Sequence, residues 1–175
     1  DLNESNVNWI GTGYRLPTEV EWERAARGDA STSTQDYSWG NSFLNGSLAN
    51  YSLSGDPFDN ASTPVGYFDG HQDINASENS RGGETTSHKN MANGFGLFDM
   101  LGNVWEWCWD LHAPYSGLPQ IDPIGAAEGH SRIHRGGAYD FGRGGGRLGN
   151  RNRSGPDNKS HAIGFRLAKS APCNP

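Results

Sequence analysis

Two carboxylates, Asp99 and Glu106, bracket the stretch "FDMLGNVWEW", with Gly102 and Asn103 between them. Glycine and asparagine accept backbone angles that turn a chain sharply. A carboxylate, two main-chain carbonyls and a second carboxylate within eight residues can therefore wrap a hard cation, and calcium takes such an all-oxygen set. The same residues also read as a turn followed by a strand, with Glu106 paired to an arginine. Further carboxylates at Asp56, Asp59 and Asp69, near Asn50 and Asn60, make "ANYSLSGDPFDN" a second oxygen-rich loop, although Asx-rich loops by themselves form turns.

A different chemistry is raised by Arg135 to Arg151, "RGGAYDFGRGGGRLGNR". The chain carries a net charge of −6, yet residues 132–166 hold 8 Lys/Arg against 2 Asp, which is +6 and leaves −12 elsewhere. A cationic segment on an acidic body points to a localised site or to arginines paired internally. A nucleic-acid tail of the RGG kind would lack core signals, whereas this segment lies between two apolar stretches. A phosphate loop needs a Gly-Lys-Ser/Thr turn opening a helix, and no such triplet is present. The six histidines show no H-x-x-x-H spacing on a helix. His130 and His134 flank residues that read as strand, which makes them surface residues rather than ligands. Cys108 and Cys173 form no zinc pattern, and read equally as one disulfide or two ordinary thiols.

These residues need elements to hold them. At 175 residues the chain fits one domain with a real core. Its 33% hydrophobic content is low, but 6 Trp, 6 Tyr and 7 Phe supply large buried areas, and 25 Gly imply much loop. "RLPTEVEWERAARG" reads as a helix: Thr18 and Glu21 make a capping box, Val20, Trp22, Ala25 and Ala26 an apolar side, and Gly28 a stop. "YSWGNS" reads as a turn holding a buried Trp39, and "TPVGYF" as a strand. Residues 69–93 have almost no apolar side chains and read as a polar surface insertion. "VWEW", "SRIHRGGAYDF" and "AIGFRLAKS" read as strands. Short strands, long loops and one strong helix predict an α+β fold with little regular structure. No apolar run approaches membrane-spanning length and no signal peptide opens the chain.

In order, "RLPTEVEWERAARG", "YSWGN", "TPVGYF", "NGFGLFDMLGNVWEW", "RIHRGGAY" and "GFRLA" resemble the formylglycine-generating enzyme (sulfatase-modifying factor) family, from about Tyr14 to Ala168. The resemblance implies an irregular C-type lectin-like fold, with the chain as the carboxy-terminal portion of a longer domain whose amino-terminal strand and helix are missing. It implies structural calcium at Asp99, Gly102, Val104 and Glu106, the middle two through carbonyls. A second calcium would lie at Asn50, Tyr51, Asp56 and Phe58, where the spacing before "TPVG" differs by one residue. No EPN- or QPD-like sugar-binding triplet is present. Active members carry two cysteines after the GG-S/A-Y motif, for copper and for oxidising a sulfatase cysteine. The matching positions here are Phe141 and Gly146, neither of which offers a soft thiolate. The resemblance therefore implies no copper and no catalytic residue. A branch with a three-histidine iron site is not matched either.

Within the resemblance, residues 132–168 look most like the variable cassette of diversity-generating retroelement proteins, in which template adenines are copied with errors. Between scaffold anchors (Arg135 to Tyr139, Arg147, Asn150, Arg151, Pro156 to Lys159, Ile163 to Leu167) lie Asp140, Phe141, Gly142, Gly145, Asn152, Arg153, Ser154, Gly155, Ser160, His161 and Ala162. Each is reachable from an Asn codon by changing its first two adenines, and Glu, Gln, Trp and Met, which are not reachable, are absent from the cassette. With Arg143, these positions form the candidate ligand-binding set, a paratope-like mixture of one aromatic, charged forks and small polar groups. The reading is a receptor-like module for a protein or glycan, not for nucleic acid, placed at the cell surface or outside the cell if an upstream segment carries a signal. The alternatives are a copper oxidoreductase using other residues and a structural or regulatory domain of a larger protein.

Overall fold

The computed structural model describes residues 7, 9, 11–29, 35–40, 44–58, 60–71 and 90–170. Its one α-helix among them is α1 (Glu19–Arg27). The Thr18 side chain accepts from the Glu21 amide at 3.2 Å while the Glu21 carboxylate accepts from the Thr18 amide at 2.8 Å. Both orphan donors at the helix start are thereby satisfied. Gly28, at φ 67°, closes the other end. Trp22 and Ala26 are buried, whereas Val20, read as core-facing, is 46% exposed.

The main sheet has strand order β4-β3-β2-β5, made of β2 (Trp105–Leu111), β3 (Arg132–Arg135), β4 (Arg151–Ser154) and β5 (Ile163–Phe165). β2, β3 and β4 are antiparallel neighbours and β5 runs parallel to β2. A separate ribbon pairs β1 (Tyr14–Arg15) with β6 (Ala168–Lys169). Side chains alternate across a strand, so the register sorts them onto two faces. Trp105 opposite Ile163, Trp107 opposite His134 and His134 opposite Asn152 share one face. Glu106 opposite Arg135, and Arg135 opposite Arg151, share the other, against α1. The core between helix and sheet includes Trp22, Ala26, Leu44, Cys108, Ile133 and Leu148. A smaller cluster on the far face holds Trp105, Ala138, Tyr139 and Ala162.

Several readings from the sequence are corrected. "TPVGYF" is a turn: the Tyr67 amide donates to the Pro64 carbonyl at 3.1 Å, and Val65 stands 93% exposed. Trp39 is half-buried, and its stacking partner Tyr37 is the buried ring. Met91 and Asn93, at the end of the polar insertion, are buried. Met91 packs with Leu48 and Phe68, and Asn93 Nδ2 donates to the Ala25 carbonyl at the end of α1 at 2.6 Å. "AIGFRLAKS" breaks into β5, which pairs with β2, and β6, which pairs with β1, with Arg166 between them on Glu106. Residues 72–89 and Cys173 lie outside the described residues; Cys108 is a buried thiol, held well above its ordinary pKa by burial.

Candidate functional site

The arginine-rich cassette divides according to the pleat. Arg135 is fully buried and its guanidinium reaches three acceptors: Glu19, Glu23 Oε2 at 2.8 Å and the Leu148 carbonyl. Arg151 clamps the same Glu19 carboxylate, with Nε at 3.0 Å and Nη2 at 2.7 Å. Arg166 holds Glu106 through Nε at 2.8 Å and Nη2 at 2.7 Å, and Arg132 lies over the Trp109 ring at 4.3 Å. All four arginines are thus engaged within the molecule: Arg135 and Arg151 on α1, Arg166 on β2, and Arg132, on the same sheet face as His134 and Ser154, on the Trp109 ring. Nothing local announced Glu19 as their partner.

The opposite side of the cassette is built around Trp105. Phe141 sits edge-on to it, with ring centroids 5.3 Å apart, and remains 44% exposed. His134 packs edge-on to both Trp105 and Trp107, at 5.0 and 5.3 Å. Across the strand pair, Asn152 lies opposite His134, whose Nε2 is 3.1 Å from Ser154 Oγ. Read as a surface residue, His134 is instead 2% exposed, and burial pushes its pKa down to about 4. It is a supporting residue of this face, buried by its pairing with Trp107 on another strand, which nothing local to "RIHR" discloses.

Asp140, Phe141, Gly142, Arg143, Gly155, Ser160 and His161 are exposed, and Asn152 and Ser154 half-buried. Three positions depart from the set. Gly145 is buried beneath the Phe141 ring, where an added Cβ would stand 2.4 Å from Phe141 Cδ1. Ala162 is 4% exposed, its carbonyl accepting from the Trp105 amide at 2.9 Å. Arg153 lies on the sheet face opposite to Asn152 and Ser154, and meets His112 Nδ1 at 2.8 Å. Arg143 is exposed but anchored, donating to the Leu44 carbonyl. At Gly146 an added Cβ would meet only Leu44 Cδ2, at 3.5 Å. A Cβ therefore fits there in ordinary contact.

The two oxygen-rich loops lie against each other. Gly102, at φ 77°, approaches so closely that a Cβ would fall 2.2 Å from the Asn50 carbonyl oxygen, and the Asn103 amide donates to that oxygen at 2.9 Å. Glycine is obligatory at such a position. Asp99 accepts from the Gly66 amide through Oδ2 at 2.5 Å, while its Oδ1 is buried without a hydrogen-bond partner. Burial raises its pKa against the opposing effect of that amide. An orphaned carboxylate oxygen is what a hard cation seeks. Glu106 is more engaged: Oε2 accepts from Trp22 Nε1 at 2.6 Å and from Arg166, and Oε1 from Arg166 alone, leaving Oε1 one lone pair. In the second loop, Asp56 already accepts from Ser54 Oγ and from the Phe58 amide at 2.7 Å, and Asn50 Nδ2 donates to the Ala61 carbonyl at 2.8 Å. Among the described residues, no group of three or more His, Cys, Asp or Glu side chains could hold a metal, so a cation would depend on main-chain carbonyls.

One capped helix, a short mixed sheet and long ordered loops around a central tryptophan define an irregular α+β domain of the C-type lectin-like kind. The chain belongs to the sulfatase-modifying factor enzyme 1-like domain family, whose profile matches residues 4–171. It is 35% identical over 174 residues to the formylglycine-generating enzyme of Streptomyces coelicolor, covering 97% of this chain and 51% of that enzyme. It is 31% identical to the inactive C-alpha-formylglycine-generating enzyme 2 of Mus musculus, over 97% of this chain and 47% of that protein. The solved structure of Treponema denticola variable protein 1 is similar at a TM-score of 0.70 and 29% identity, covering 95% of this chain and 53% of that one. The chain thus spans about half the length of the relatives it matches. Among the described residues no helix is long and apolar enough to cross a membrane.

Proposed function

We propose that this domain is a non-catalytic, receptor-like module that grips a protein or glycan through the face around Phe141. The observation that carries the reading is the exposed Phe141 ring seated on Trp105, at the position where resembling enzymes place sulfur. With a phenyl ring at 141 and a hydrogen at 146, the site has no thiolate for copper or for a mixed disulfide. Phe141 supplies an apolar anchor, and Asp140, Asn152, Ser154, Ser160 and His161 supply adaptable polar contacts. Likeness to a protein called variable and to one called inactive supports the same direction. Copying errors at template adenines would vary these exposed positions while Arg135 and Arg151 stay fixed. Gly145 and Ala162, although reachable by the same codon changes, sit under the face and act on it only through Phe141 and Trp105.

Calcium in this proposal is structural and confined to the first loop. The Asp99 carboxylate, the Gly102 and Val104 carbonyls and the remaining lone pair of Glu106 would hold it, neutralising a buried charge. In the second loop the Asp56 carboxylate already accepts from Ser54 and from the Phe58 amide, and the proposal does not extend to it. Chelation should lower the melting temperature, and Asp99→Asn should abolish that response; equal melts with calcium and with chelator would remove the metal.

The catalytic alternative is tested by incubating the protein with copper and a Cys-x-Pro-x-Arg peptide. Mass spectrometry should show the cysteine unchanged, and a formylglycine aldehyde would overturn the proposal. Programmed variation requires, near the gene, a reverse transcriptase and a template repeat differing from residues 132–168 only at adenines. Finding neither removes the retroelement and leaves the binding face.

A further inference from the structure

Beside α1, on the sheet face opposite Phe141, a cavity of about 780 Å³ opens, within the range of small-molecule sites. Tyr115 and Leu118 form its lip and stand 68% and 75% exposed. Val20 and Pro123 extend the apolar wall. The bridge between Leu111 and Ala126 closes the base of the loop that carries this wall. Arg151 stiffens it, lying 4.2 Å over the Tyr115 ring while Nη1 donates to the Ala113 carbonyl at 2.8 Å.

The floor is acidic and unevenly compensated. Glu19 and Asp110 are 6% and 5% exposed. Glu19 is matched by Arg135 and Arg151, and Glu23 by Arg27 and Arg135. Asp110 accepts from the Glu19 amide at 2.6 Å but forms no ion pair among the described residues; Arg132 and Arg151 act on it only through space. Its pKa is raised by burial to about 6, which leaves it ionised at neutral pH. A buried carboxylate without a counter-ion costs free energy that a cation recovers. A bare metal ion is disfavoured, because no cluster of metal-ligating side chains surrounds it among the described residues and the walls are apolar.

We propose that this cavity binds a small organic cation, an amine or guanidinium on an apolar body, with the charged nitrogen on Asp110 and the body between Tyr115, Leu118 and Val20. The site is independent of the Phe141 face, and neither reading requires the other.

The probe is 2-phenylethylamine, compared with its neutral counterpart 2-phenylethanol, titrated into the full chain and followed by amide chemical shifts. The amine should bind about tenfold more tightly than the alcohol, the effect of one charge-assisted contact, and perturb the Gly125 and Ala126 amides. Asp110→Asn, whose amide oxygen can still accept from Glu19, should erase the preference. Leu118→Ser, at an exposed lip, should weaken both probes, and Phe141→Ala neither. Equal affinity of the two probes for the unmodified chain, absence of any perturbation, or a preference that survives Asp110→Asn would overturn the proposal. If Asp110→Asn fails to fold by circular dichroism, the comparison of probes on the unmodified chain and on Leu118→Ser decides it.

Discussion

Arg151 and Asn152 are consecutive, yet they belong to two different kinds of surface. Arg151 points toward α1 and shares the Glu19 carboxylate with Arg135, inside the molecule. Asn152 points away, beside His134 and toward the face on which Phe141 rests. The pleat of a single strand thus separates an arginine that holds the strand to α1 from a half-buried polar residue beside His134. Removing a buried ionic partner leaves an uncompensated charge, whereas an exposed polar side chain is replaced at almost no cost. Under the proposal, a domain built this way varies its outer face without losing its inner one.

The largest effect should follow from breaking the inner side. Glu19→Ala removes the carboxylate that Arg135 and Arg151 share, leaving, among the described residues, Glu23 as the one carboxylate on Arg135 and none on Arg151, and should cost about 3–5 kcal/mol in urea denaturation; a loss under about 1 kcal/mol would show that these arginines do not anchor the sheet. Next comes pH, where two buried groups oppose each other. The His134 pKa falls from 6.5 to about 4 in the folded state, so its stabilising effect is complete above pH 6.5 and lost as pH falls toward 4. Burial, aided by Glu19 and opposed by Arg151, raises the Asp110 pKa from 3.8 to about 6, with Arg132 also facing it, so its stabilising effect is present below pH 3.8 and lost as pH rises through 6. Each amounts to about 2 kcal/mol after allowance for solvent screening. From these two groups the unmodified chain should show a nearly flat profile between pH 4 and 6. Asp110→Asn should reveal a rising slope and His134→Gln a falling one.

Smaller effects sharpen the outer side. Gly145→Ala forces the Phe141 ring to move and should cost about 1–2 kcal/mol. Most of that should disappear in a Phe141→Ala background, a coupling that a double-mutant cycle reads directly. The smallest effects belong to Asn152→Ala, Ser160→Ala and His161→Ala, each within about 0.5 kcal/mol of the unmodified chain in thermal melts.

What the sequence disclosed follows the range of each interaction. The capping box of Thr18 and Glu21 is local, and α1 appears where it was read. The alternation of Val104, Trp105, Glu106 and Trp107 is local too, and β2 contains the last three. The break between β5 and β6 is not local, because the two pieces pair with different distant strands, β2 and β1. The Glu19–Arg135 pair spans 116 positions and left no mark on either segment. Within the candidate site, codon reachability selected residues without regard to the pleat. It therefore grouped Arg153 and the buried Gly145 and Ala162 with the exposed positions around Phe141.

The most direct measurement is a stability scan by proteolysis of every single substitution across residues 132–168 with the fold otherwise intact. The account predicts two interleaved classes: steep losses at Arg135, Ala138, Tyr139 and Arg151, and near-neutral behaviour at Asp140, Gly142, Asn152, Ser160 and His161. A uniform profile, or losses at Asn152 and His161 as large as those at Arg135, would contradict it.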